Sequence, residues 1–192
     1  MARPREFDRD TALQKAMEIF CDHGYEGTST DELLRVMRIS RQSLYDTFGD
    51  KRQLYLQALQ QYVADNVGEQ IRALNSSSSA LKAIEAALQT FACNAGDSSA
   101  RGCLGIGATC EFGTADREVT AAIAIADKAL QGALERRINE GKAAGEIGAD
   151  VDARTAAQFI KATFAGIKVA ARGGAPADAL RNIARMAVRS LK

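Results

Sequence analysis

Apolar residues recur along this chain at intervals of three and four, and nowhere does a run of Val, Ile and Thr alternate with polar residues between turn signals. That pattern predicts an all-α protein. From Arg9 to His23 the positions Ala12, Leu13, Ala16, Met17, Ile19 and Phe20 form one stripe, which Gly24 ends. His23 falls in the last turn, where an imidazole meets free carbonyls and the negative end of the helix dipole. Ser29 and Glu32 have capping-box spacing, so a short helix is predicted through Leu33, Leu34 and Met37. Ser40 is placed to cap a third helix with Leu44 and Phe48 on one face, and Ile39 and Leu44 stand as a hydrophobic staple. Two short helices joined by a turn make a helix-turn-helix candidate.

Gly49 and Asp50 punctuate the chain, with Asp50 as the next cap. From Lys51 to Leu74 the residues Tyr55, Leu59, Tyr62, Val63, Val67, Ile71 and Leu74 step by three and four. At 1.5 Å per residue such a helix is roughly 35 Å long, enough to join two parts of a protein rigidly. Asn75 and the serines 76–79 form a loop. A helix is predicted from Ala80 to about Asn94, a polar loop from Ala95 to Gly102, and a short apolar piece from Cys103 to Phe112. Long helices follow over about Ala115 to Ala144, Asp152 to Arg172 and Pro176 to Leu191, with Pro176 in a first turn, where its missing amide costs nothing. The sum is about nine helices, divided into a helix-turn-helix domain over 1–50 and a helical domain over 51–192.

Composition narrows the function. The 192 residues are 46% hydrophobic, enough for a sizeable core, and carry a formal charge of +1, so any nucleic-acid binding must come from charge placed locally. A single histidine excludes His-rich metal sites and leaves a Ser-His-Asp arrangement only His23 to build on. No cofactor is called for. Cysteines at 21, 93, 103 and 110 form no C-x-x-C pair and suit a reducing cytosol. The N-terminus lacks the apolar run of a signal peptide, and no stretch approaches eighteen apolar residues, which together predict a cytoplasmic protein without membrane contact.

Residues 1–52 hold nine cations against ten acids. Their order says more than their sum. Arg35, Arg38 and Arg41 surround the turn and open the third helix with no acid between them, while Arg3 and Arg5 lie in an N-terminal arm. The stretch Gly24-Tyr25-Glu26-Gly27-Thr28-Ser29, followed by Ile39-Ser40-Arg41-Gln42-Ser43-Leu44-Tyr45-Asp46-Thr47-Phe48-Gly49-Asp50-Lys51 and Leu54, resembles the DNA-binding domain of the TetR (tetracycline-repressor) family of transcriptional regulators. The likeness covers about the first quarter of the chain. Three positions depart from the family pattern: Arg38 where the turn usually has glycine, Gln42 where the recognition helix often has glycine, and Thr47 where histidine or tyrosine is common. A left-handed Arg38 would strain the turn by about 1 kcal/mol.

The opening residues of a recognition helix contact base edges and its flanks hold the backbone. Arg41, Gln42 and Ser43 are therefore the base-reading candidates, flanked by Arg38 and Ser40; Gln pairs bidentately with adenine and Arg with guanine, each worth about 1 to 3 kcal/mol of discrimination. The resemblance implies phosphate contacts for Thr28, Tyr45, Thr47 and Lys51, and for Tyr45 partial burial is the equal alternative. It also implies a homodimer through the last two helices and an effector cavity in the helical body. The final helices agree: Phe159, Ile160, Phe164, Ile167 and Val169, then Leu180, Ile183, Ala184, Ala187 and Val188, make apolar rows wider than one stripe, which suggests two partners. Family geometry nominates Phe91, Cys103, Ile106, Cys110, Glu111, Phe112 and Phe164 for the cavity, each equally readable as core.

Gly105-Ile106-Gly107 follows no strand and lacks a third glycine, so it is no nucleotide loop. Cys103 and Cys110 lie about 10 Å apart along one helical face, too far for a disulfide without rearrangement. They are readable as structural cysteines or as a sensor of oxidants or electrophiles. The expected function is a non-enzymatic DNA-binding regulator, a repressor released from a palindromic operator by a small molecule. The alternatives are a thiol-sensing regulator using Cys103 and Cys110, a helical enzyme with a thiol nucleophile, and a helical interaction module that does not bind DNA.

Overall fold

The computed structural model describes residues 7–97 and 102–192, so Arg3, Arg5 and residues 98–101 of the loop expected over 95–102 lie outside the described residues. Nine α-helices make up the secondary structure there: α1 (Arg9–His23), α2 (Thr30–Met37), α3 (Arg41–Phe48), α4 (Lys51–Leu74), α5 (Ala80–Asp97), α6 (Leu104–Phe112), α7 (Arg117–Ala143), α8 (Ala153–Arg172) and α9 (Ala177–Arg189).

The caps explain where the helices begin. Asp8, Ser29, Ser40 and Asp152 each accept from the amide three residues on, satisfying one of the orphan donors that every helix start carries. The capping box at α2 is realised by half: Ser29 Oγ accepts from the Glu32 amide at 3.1 Å, while Glu32 Oε1 lies 3.4 Å from His23 Nδ1. Gly24 closes α1 at φ 72°, in the region that favours glycine. Three expected boundaries shift. Helix α5 runs on to Asp97, α7 starts at Arg117, and Pro176 occupies the N-cap of α9. The apolar piece 103–112 is helical although it contains two glycines. A Cβ on Gly105 would lie 3.4 Å from Val63 Cγ1, an ordinary packing distance, so α6 faces α4 there without glycine being required.

The chain divides into two compact units, residues 1–64 with 101–124 and residues 65–100 with 125–192. The units thus divide elsewhere than the functional boundary expected at residue 50, because α6 and the start of α7 join the N-terminal helices. In the first unit Phe20, Leu33, Leu44, Phe48, Leu54, Tyr55 and Leu59 form the buried centre, and α1 packs on α2 and α6. In the second, α5 packs on α8 and α9 around Ile84, Leu88, Leu134, Ile138, Ile160, Phe164, Ile167 and Leu180. Among the described residues no helix is long and apolar enough to cross a membrane.

Candidate nucleic-acid interface

Helix α2 buries Leu33 and Met37 and ends at Arg38, whose φ of 58° and ψ of 45° place it in the left-handed region. The turn needs that geometry: the Arg38 amide donates to Leu34 O, and the Ile39 amide reaches the same oxygen at 3.2 Å before the chain reverses into α3. A non-glycine residue in this well costs about 1 kcal/mol or more, and Arg38 bears it while presenting an exposed guanidinium beside α3.

Ser40 Oγ accepts from the Ser43 amide at 3.0 Å and lies 2.8 Å from Ser43 Oγ, which fixes the first turn of α3. Its apolar side is anchored by Leu44 and Phe48, both buried. The opposite side is open: Arg41, Gln42 and Asp46 are exposed, Ser43 and Thr47 are half-buried, and Tyr45 is 50% exposed, which leaves part of its ring free for contact beside its partial burial. The open side chains are held by acids of the same chain. Arg41 pairs with Asp31, and Gln42 Nε2 donates to Asp46 Oδ1 at 2.7 Å. Asp46 escaped the sequence reading, although its position four residues after Gln42 on a helix was the available signal.

Two flanking residues differ. The Lys51 ammonium sits 4.2 Å from the centre of the Tyr25 ring at the start of α4, where Asp50 accepts from the Gln53 amide at 2.8 Å. Thr28, expected at a phosphate, is 1% exposed and donates its hydroxyl to Gly24 O at 2.6 Å, so the turn after α1 has consumed it.

The same unit contains the corner from α6 to α7. Glu111 and Phe112, nominated for an effector cavity, contact the turn after α1 and helix α4. The Tyr25 and Glu26 amides donate to the two Glu111 carboxylate oxygens at 2.9 and 2.7 Å, and the Phe112 ring lies 5.7 Å from those of Tyr25 and Tyr55. Burial, then the Glu111 charge, pushes the Tyr55 phenol far above its ordinary pKa. Arg52 Nη2 donates to both oxygens of Asp116, and this holds the Asp116 carboxyl below its usual value. Cys103 caps α6 without a side-chain hydrogen bond to its amides and is hydrogen-bonded to Tyr62, whose phenol burial raises strongly. Ile106 is half-buried and Cys110 exposed.

In the second unit a cavity of about 220 Å³ is lined by Asn66, Glu69, Gln70, Arg72, Thr90, Phe91 and Asn94, with Ala73 and Ala87. Of the nominated cavity residues, Phe91 lines it and the buried Phe164 stacks edge-on behind Phe91 at 4.9 Å. Polar residues of α4 and α5 dominate the wall, and sequence periodicity did not single them out because they lie off the apolar stripes. On α8 and α9 the residues Phe159, Val169, Ile183 and Met186 are exposed while Ile160, Phe164, Ile167, Leu180 and Ala184 are buried.

Comparison with known proteins places this geometry. Residues 12–58 match the family described as bacterial regulatory proteins of the tetR family, and residues 80–187 match the tetracyclin repressor-like C-terminal domain. The chain is 32% identical over 184 residues to YezE, an uncharacterized HTH-type transcriptional regulator of Bacillus subtilis, covering 95% of each chain. It is 28% identical to the HTH-type transcriptional repressor ComR of Escherichia coli, covering 97% of this chain and 90% of that one. Among solved structures, a cysteine-substituted form of the TetR family regulator CifR, in complex with 26-base-pair operator DNA, is 31% identical, with a TM-score of 0.86 and coverage of 99% and 100%.

Proposed function

The chain belongs to the TetR family and is a DNA-binding transcriptional regulator, and from that premise we propose a homodimeric repressor that leaves a palindromic operator when a small molecule binds. One observation carries the DNA-facing part of the reading: α3 buries Leu44 and Phe48 and leaves Arg41, Gln42 and Tyr45 exposed at its opening. Arg41 and Gln42 read base edges after exchanging Asp31 and Asp46 for DNA; Arg38, Ser40, Ser43, Tyr45, Thr47 and Lys51 position the helix on the backbone. Thr28 holds the turn. In the cytoplasm, where the DNA is, two copies join through the exposed apolar residues of α8 and α9, so that two recognition helices meet half-sites about 34 to 36 Å apart or a multiple. Residues 1–50 carry the DNA contacts and the helices after them carry effector and partner.

The effector site of this reading is the α4–α5 cavity, whose amides, Thr90 hydroxyl and Phe91 ring suit a small polar molecule with one flat or apolar face. Switching from nearly full to nearly empty occupancy requires the effector to prefer one state by about 5.5 kcal/mol. The test is selection of genomic fragments on the immobilised protein at low salt. Retention of a palindromic set, with affinity falling steeply as salt rises, is the expected result; no retained fragment ends the proposal.

Exposed Cys110 favours a second trigger, modification of a thiol on α6 by an oxidant or electrophile, with Cys103 at the N-cap of the same helix. The structural relative CifR carries cysteine substitutions in its operator complex. Replacing both cysteines with Ser and challenging the DNA complex with peroxide decides it: an unchanged release excludes the thiol trigger.

A further inference from the structure

The carboxylate of Glu111 has no local reason to be where it is. It stands in the last turn of α6, where the helix dipole disfavours an anion, yet both its oxygens accept backbone amides 86 and 85 residues earlier in the chain. Those amides belong to Tyr25 and Glu26, immediately after the cap of α1. The approach is close enough that a Cβ on Gly24 would lie 3.1 Å from Glu111 Oε2, and Gly24 is already in a conformation that disfavours other residues.

Tyr25, held by its amide, lies against two more partners. Its ring meets Tyr55 edge-on at 5.0 Å and forms the platform under the Lys51 ammonium at 4.2 Å. The Tyr55 hydroxyl, fully buried, has no hydrogen-bond partner among the described residues, so this seam is held by ring packing and by the Glu111 clasp. A continuous series of contacts therefore leads from α6 through Glu111, the Tyr25 amide and the Tyr25 ring to the cation that opens α4.

We infer that Glu111 is a positioning residue for DNA binding: by clasping the Tyr25 and Glu26 amides it sets the ring that aims Lys51 at a phosphate. The inference rests on the DNA-binding reading above and adds to it a named contact by which α6 governs operator affinity. Loss of the clasp leaves Lys51 charged but undirected, which removes a phosphate contact without touching base readout.

The salt dependence of binding separates this role from a merely structural one, because each phosphate contact contributes about 0.9 to the slope of log affinity against log salt. Full-length wild type, Glu111→Ala, Glu111→Gln, Lys51→Ala and the Glu111→Ala/Lys51→Ala double variant are titrated with a genomic duplex selected by the wild type and with random-sequence duplex. Helical circular dichroism checks each fold. Glu111→Ala is expected to lower the slope by about 0.9 per half-site, as Lys51→Ala does, and the double variant to show no further loss. Glu111→Gln, isosteric and retaining one acceptor oxygen, falls between, and its slope decides the matter if the alanine variant does not fold. A wild-type slope in the Glu111 variants, or additive losses in the double variant, overturns the role of Glu111 and leaves the DNA-binding reading standing. Absence of any wild-type binding overturns both.

Discussion

Helices α3 and α6 are nearly the same length, eight and nine residues, and are held in opposite ways. Beyond the apolar face that seats it, helix α3 makes its polar contacts with neighbours in sequence: Ser40 caps it, Gln42 bonds Asp46 one turn on, and Arg41 reaches Asp31 ten residues back. Helix α6 is fixed by distant partners, with Glu111 on amides more than 80 residues away, Cys103 on Tyr62, and Gly105 against Val63. A locally held helix can present side chains to a ligand without disturbing the rest of the fold. A helix tied to distant elements moves only by moving them too. This makes α3 suited to reading and α6 suited to transmitting.

The sharpest way to break the comparison is to remove the anchor of α3. Phe48 is 2% exposed, its ring lies 5.3 Å from the Arg9 guanidinium, and Gln57 Nε2 donates to its carbonyl at 3.0 Å. Phe48→Ala should cost about 3 to 5 kcal/mol of stability and abolish operator binding, as read by denaturant unfolding and a binding titration. Unfolding within 1 kcal/mol of wild type would mean that α3 is not seated by its apolar face.

The locality that distinguishes the two helices also explains what was legible in the sequence. The nine helices follow from apolar spacing and from cap residues, both read within a few positions; Lys51 to Leu74 is an instance. The exposed opening of α3 follows from the same local logic. The burial of Thr28 could not be read from the sequence, because its hydroxyl is taken up by a backbone carbonyl, Gly24 O, which no residue type announces. Glu111 was unreadable because its partners are backbone amides, which have no residue type to search for. The cavity over Asn66 to Asn94 was missed because polar wall residues look like solvent-facing ones until two helices bring them together.

The reading surface of α3 should divide by chemistry. Gln42 and Lys51 are both partly or fully exposed, so neither truncation should shift the unfolding midpoint appreciably. Gln42→Ala should change preference at one base pair by about 1 to 3 kcal/mol, whereas Lys51→Ala should weaken all sequences alike and lower the salt slope by about 0.9 per half-site. Selection from a randomised operator library shows the difference. Identical preference profiles for the two variants would contradict it.

A smaller effect sits at the turn. Arg38 is the one described non-glycine residue with positive φ, and it lies where only an exposed cation, not packing, is gained. Arg38→Gly should relieve strain of about 1 kcal/mol, partly offset by the greater freedom of glycine in the unfolded chain, while DNA affinity falls. A stability gain with unimpaired affinity would remove Arg38 from the binding surface; a clear destabilisation would mean that the left-handed turn is not strained.

The slightest effect belongs to the α6–α7 corner and is read by acid. The carboxyl of Asp116 is held below the ordinary aspartate range, first by the Arg52 side-chain hydrogen bond and next by the Val119 amide. A carboxylate with a depressed folded pKa contributes stability that is fully present above the unfolded value and is lost as pH falls through the folded one. The contact with Arg52 should therefore persist from neutral pH down to about 4 and give way only below that, because protonation of Asp116 removes the charge that Arg52 engages. In Arg52→Gln the same carboxyl loses its guanidinium partner, its folded pKa moves back toward the ordinary aspartate value, and the acid limb attributable to it flattens. Thermal unfolding followed from pH 6 to pH 2 for both proteins should show curves that differ by a nearly constant offset above pH 4 and converge below it. Curves that stay parallel down to pH 2 would mean that protonation of Asp116 does not release the contact, and coincident curves would mean that Arg52 plays no part in tying α4 to α7.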